Sequence, residues 1–149
     1  MTITMKKPLL ITLLSFLILT AFTEKSDRSD SEILNWAVLA NVHWVWADNF
    51  YQANFNDEQK ELDGQELVVE GFMFPLEYTR RHQNFLVSSS PMSQCFFCGP
   101  GEAESMVYVR TTEPVDYTFS RMKVRGTFKL ISDASMGIIY ELTDAQVVR

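Results

Sequence analysis

Two cysteines stand three positions apart in the stretch "SPMSQCFFCGPGEAESMVYV", residues 90–109, and the chain has no others. Two residues between thiolates let a tight turn bring both sulfurs to one ion, and zinc favours thiolate and imidazole ligands in tetrahedral geometry. Cys95 and Cys98 would fill two of four positions. The candidates for the rest are the chain's two histidines, His43 and His82, and the nearby carboxylate of Glu102. The same spacing also suits a redox pair, but a thioredoxin-type pair opens a helix whose N-terminus lowers the first thiol's pKa. Here Gly99-Pro100-Gly101 follows, which breaks a helix, and no basic residue lies within ten positions on either side. Redox exchange is disfavoured. A third possibility is structural: Phe96 and Phe97 pack the loop, and a Cys95–Cys98 disulfide closes a ring too short to add much stability. The residues leave zinc and a structural loop as open alternatives.

The elements that must position this loop begin with the N-terminus. A basic head (Lys6, Lys7) precedes the mostly apolar run Leu9–Phe22, and a charged stretch follows. That is the layout of a secretory signal peptide. At 14 residues the run is short of the roughly 20 that a bilayer span needs, so cleavage is favoured over a retained N-terminal anchor. Residues 1–23 are assigned to this signal peptide or anchor, 24–31 ("EKSDRSDS") to a solvated tether, and 32–149 to one domain. Without residues 1–23 the chain keeps 11 basic against 19 acidic side chains, a net charge of −8. Such a field repels nucleic-acid phosphates and does not attract anionic lipid. An exported chain allows a disulfide without requiring one.

Within the domain, Ile33, Trp36, Val38, Leu39 and Val42 approach the spacing of an amphipathic helix, with Ser29, Asp30 or Ser31 available as its cap. "VHWVWA" suggests a short strand, and residues 47–64 suggest a loop or helical turn ending at Gly64. Five strand candidates follow, at 65–76, 83–89, 104–111, 121–130 and 137–148. In the fourth, Met122, Val124, Gly126, Phe128 and Leu130 alternate with Lys123, Arg125, Thr127 and Lys129, so one face is buried and the other wet. Gly71 and Gly126 interrupt strong strands, as happens where a strand bends to close a barrel. These features predict a mainly β fold: a small five-stranded OB-like barrel preceded by a short N-terminal helix.

The segments "LDGQELVVEGFMFPL", "FLVSSSPMSQCFFCGPGEAESMVYV", "MKVRGTFKL" and "GIIYELTDAQV" resemble a family of bacterial envelope proteins of unassigned function. The shared marks are a Trp-x-x-Leu segment (Trp36–Leu39), Leu62-Asp63-Gly64, the Gly-aromatic-Met-x-Pro-Leu strand at 71–76, and a cysteine-containing loop. The likeness spans about residues 33–148 and implies a small OB-like barrel in the periplasm or cell envelope. Many relatives are similar to Cys-x-His followed by prolines at the loop, where this chain has Cys95-Phe96-Phe97-Cys98. Relatives are often encoded near transporters linked to metal supply, which implies zinc as a possible cofactor and an envelope or transporter protein as a possible partner.

Other clusters have plainer readings. Trp36, Trp44 and Trp46 are expected to supply core area. Lys123, Arg125 and Lys129 form a solvated strand face, because nucleic-acid binders carry an overall basic footprint that this chain lacks. No Ser/His/Asp order, phosphate loop or paired-acid motif is present, so no enzyme is expected. Two functions remain: an exported binding protein holding or passing zinc at Cys95 and Cys98, or a non-metal interaction module of the envelope with a structural cysteine loop.

Overall fold

A computed structural model of the chain describes residues 33–91, 102–132 and 137–148. The proposed leader and tether, and the two cysteines, lie outside the described residues. Seven strands and two short α-helices are present among them: α1 (Trp36–Leu39), β1 (His43–Ala47), β2 (Phe50–Asn54), α2 (Asp57–Leu62), β3 (Glu66–Pro75), β4 (Arg81–Ser88), β5 (Met106–Asp116), β6 (Met122–Leu130) and β7 (Tyr140–Val148).

Strands β3 to β7 close a barrel in the order β3-β4-β5-β7-β6, with β6 pairing back to β3. All neighbours are antiparallel except β5 and β7, which run parallel. Numbered from the first barrel strand, that order is 1-2-3-5-4-1, the arrangement of an OB-like barrel. The expected five strands and their closure are therefore present.

The β6 alternation holds. Met122, Val124, Gly126 and Phe128 are buried, Lys123 and Lys129 are exposed, and Arg125 and Thr127 are half-buried. Both glycines sit where strands approach too closely for a side chain. A Cβ at Gly71 would run into the Ser88 carbonyl oxygen, and one at Gly126 would lie 2.7 Å from the Thr143 carbonyl oxygen. Gly126 also stands at a register shift between β6 and β7, the bend expected of it.

Inside the barrel, Val69, Phe85, Val87, Val107, Val109, Val124, Phe128 and Leu142 make an apolar core. Tyr140 stacks on Phe128 at 5.7 Å and tilts against Phe55 at 5.8 Å. Its hydroxyl donates to the Leu39 carbonyl at 2.7 Å, and the buried Gln59 amide donates to the carbonyls of Val38 (2.9 Å) and Leu39 (3.2 Å). Those bonds satisfy the orphan carbonyls of the one-turn helix α1 and lash it over one end of the barrel.

Three local expectations differ. The helix begins at Trp36 and is capped by Asn35, whose side chain accepts from the Ala37 N–H at 2.9 Å, and not by Ser29, Asp30 or Ser31. The cause lies upstream. Ile33 bridges Val68 in parallel and Leu34 N–H donates to the Val68 carbonyl, so this backbone is already committed as extended chain. The stretch 47–64 holds a strand and a helix: β2 pairs with β1, and α2 opens with a reciprocal capping box between Asn56 and Gln59. Finally, β5 runs five residues past Thr111, carrying Pro114 inside the strand.

Candidate functional site

The sequence candidates for a metal fall at two ends of the barrel. Glu102 precedes a 3-10 turn (Ala103–Ser105) that leads into β5 at Met106, the partner of Ser88. That is the end from which the chain leaves β4 toward Cys95 and Cys98, and α1 lies beside the same turn, with His43 four residues beyond it. His82 sits at the other end of β4, six strand rises or roughly 20 Å from Ser88. It is buried, 3.5 Å from the Thr79 hydroxyl and with its ring 6.2 Å from that of Tyr117. Among the described residues, Glu102 thus lies at the Ser88 end of β4 and His82 at the opposite end. Among the described residues no three of His, Cys, Asp and Glu gather closely enough to hold an ion; Cys95 and Cys98 lie outside them.

A different feature stands out on the surface. β1 and β2 form a separate two-stranded hairpin, paired from His43–Asn54 to Ala47–Phe50. The turn between them is Asp48-Asn49, with φ of +51° and +68°. Two left-handed residues in a two-residue loop are the signature of a type I′ turn, whose twist matches that of the strands it joins. Asp and Asn tolerate this region better than other non-glycine residues.

The hairpin's alternation puts Trp44, Trp46, Tyr51 and Ala53 on one face, since Trp44 opposes Ala53 and Trp46 opposes Tyr51. At the base, Ala53 is buried and joins the core beside Phe55. Toward the tip the same face emerges into solvent, with Trp44 at 37%, Trp46 at 61% and Tyr51 at 60% exposure. Trp46 and Tyr51 meet edge to face at 4.9 Å. Of the three tryptophans expected in the core, only Trp36 packs against it, its indole N–H donating to the Glu70 carbonyl at 2.9 Å. Sequence reasoning missed the hairpin because it weighed residues 47–64 by polarity; the signal was the Asp-Asn pair between two aromatic-rich runs.

The residues behind the family resemblance mostly hold the scaffold together. Trp36 ties α1 to β3, and Leu39 is fully buried. The Asp63 carboxylate accepts from the Leu130 N–H at 2.9 Å, and Gly64, at φ +78°, donates to the Phe128 carbonyl.

A closed five-stranded barrel in this strand order, with a separate aromatic hairpin, defines a small OB-like β-barrel protein. The chain belongs to the DUF3299 family, described as proteins of unknown function, which matches residues 23–148. It is similar in structure to a DUF3299 protein from Pseudomonas aeruginosa PAO1, known from a crystal structure, at 20% identity and a TM-score of 0.56, over 80% of this chain and 97% of that one. At that identity the likeness speaks to the fold. No curated protein matches the chain.

Proposed function

We propose that the protein is an exported, non-catalytic binding protein of the cell envelope, which docks to a partner protein through the β1–β2 hairpin. The observation that carries this is the aromatic ridge of Trp44, Trp46 and Tyr51, built into a hairpin that no barrel strand pairs with. Interface centres are enriched in Trp and Tyr, and a few such residues supply most of the binding energy. The type I′ turn and the Trp46–Tyr51 contact hold the ridge in shape before binding, so little side-chain freedom is lost on docking. Export rests on the basic head and the apolar run Leu9–Phe22.

The test is site-specific cross-linking in intact cells, comparing the native chain with a Trp46→Ala/Tyr51→Ala variant. The ridge is outside the core, so the variant is expected to keep the native melting behaviour while losing its envelope cross-links. The intact mass of the same material is expected to show a mature chain starting near residue 24. Unchanged cross-links in the variant refute docking through the hairpin. An intact Met1 in a cytoplasmic fraction refutes export.

A second reading is carried by the Cys-x-x-Cys spacing: the loop holds or passes zinc through Cys95 and Cys98. The further ligands in this reading are His43, His82 or Glu102; the burial of His82 beside Thr79 and Tyr117, six residues along β4 from Ser88, supports the other two.

A further inference from the structure

The parallel strands β5 and β7 part company halfway along. Their last paired residues are Thr111 and Ala145, yet β5 continues to Asp116 and β7 to Val148. Two register faults create the parting. Between Arg81–His82 and Asn84, β4 places only Gln83 opposite four residues of β5, Thr111–Pro114. In β7, Thr143 and Asp144 together oppose the single residue Arg110 of β5, and Asp144 and Ala145 oppose the single residue Gly126 of β6. Asp144 turns left-handed there, at φ +52°. Bulges of this kind re-aim side chains, and they concentrate beside functional sites.

What the faults open is a groove of about 520 Å³ lined by Gln83, Asn84, Arg110, Thr112, Thr143 and Asp144. It runs into a second hollow of about 490 Å³, which shares Thr111 and Thr112 and extends along Pro114 and Gln146. The second hollow is lined mainly by the apolar surface of Pro114, Val115, Ala145 and Val147, the first by amides and hydroxyls. Its one guanidinium is already compensated, since Arg110 Nε lies 2.7 Å from Glu141 Oε1, an ion pair of proximity without hydrogen-bond alignment. Asp144 makes no ion pair among the described residues.

This inventory selects among ligands. A polyanion meets no excess of positive charge, either in the groove or on a chain of net charge −6. An acyl chain finds apolar wall in the second hollow alone and would run onto the polar lining of the first. A peptide adding as a strand would meet Pro114, which has no N–H to give and blunts the free stretch of β5. A ligand dense in uncharged hydroxyls fits: carboxamides, threonine hydroxyls and one carboxylate can pair with successive diols. We propose that the parting of β5 and β7 is a binding site for a neutral, polyhydroxylated ligand, a short oligosaccharide. The site is separate from the hairpin ridge and independent of its role.

The test is amide chemical-shift mapping of the native protein with maltotetraose, cellotetraose and chitotetraose, against dextran sulfate and an unmodified extended heptapeptide. At least one neutral oligosaccharide is expected to shift the Thr111, Thr112, Thr143 and Asp144 amides saturably at about millimolar concentration or below. Asp144→Asn keeps a residue that tolerates the left-handed backbone. It is expected to weaken binding about tenfold, as loss of a charge-assisted hydrogen bond does. Thr112→Val, at an exposed position, is expected to weaken it as well. The proposal is overturned if no neutral oligosaccharide moves these amides, if dextran sulfate or the peptide moves them more strongly, or if both variants bind as tightly as the native chain.

Discussion

Tyr140 concentrates the residue-scale physics. Its ring fills the barrel between Phe55 and Phe128, while its hydroxyl donates to Leu39 and accepts from the Gln59 amide at 3.2 Å. Burial pushes the phenol well above its ordinary value, and the Glu104 carboxylate adds to the shift. The folded state therefore holds the proton more tightly than the unfolded chain does. The stabilisation is fully present below about pH 10, the ordinary tyrosine value, and is lost as pH rises toward the folded value. Denaturant titrations from pH 8 to pH 11 are expected to show a fall in stability that is shallower in Tyr140→Phe, while the Tyr140 ring carbon shift of the native protein stays that of a neutral phenol at pH 10. Ionisation of Tyr140 in the intact fold at pH 10 would contradict this account. Tyr140 was visible in the sequence only as one apolar position in a strand; its polar partners come from Leu39 and Gln59, 101 and 81 residues away, a separation that no local pattern encodes.

At the scale of elements, legibility followed the alternation of side chains. β6 could be assigned face by face because one side of an antiparallel strand meets water and the other does not. Phe128→Ala is accordingly expected to cost roughly 3–5 kcal/mol and Lys129→Ala no more than about 0.5 kcal/mol, read by chemical denaturation; equal costs would mean that the faces are reversed. Where alternation broke down, so did the reading. The end of β5 was lost because "TTEPVD" has a proline and four acidic or hydroxyl side chains in place of a periodic pattern, and the structure turns that stretch into a bulge lining the proposed groove. β2 was lost because a two-residue Asp-Asn turn is a weaker signal than Asn-Gly, although both positive φ values suit it. The helix was placed correctly but drawn too long, because apolar spacing alone cannot reveal that Ile33 and Leu34 are held extended by Val68. The proposed docking ridge and the proposed groove thus both lie in segments whose local pattern is irregular, which is where selection for something other than packing is expected to show.

For the whole molecule, barrel closure decides which distant residues can cooperate. The ends of β4 are far apart, and the loop carrying Cys95 and Cys98 departs from the Ser88 end, next to Glu102 and the turn beside α1, while His82 lies by Tyr117 at the other. Thiolate ligands must be deprotonated, so zinc held by this loop would bind less well as pH falls and release protons on binding. Elemental analysis of protein purified without added metal, joined to a thiol count, separates the alternatives. Metal-bound thiolates titrate only after a chelator, a disulfide only after a reductant, and a loop packed by Phe96 and Phe97 titrates with neither. If zinc is present, Cys95→Ser and Cys98→Ser are expected to abolish it. His43→Ala is then expected to weaken it more than His82→Ala, because His82 is buried beside Thr79 and Tyr117, six residues along β4 from Ser88. A stronger loss with His82→Ala would require the loop to reach back along the whole of β4, and would overturn the placement of the metal ligands at the α1 end of the barrel.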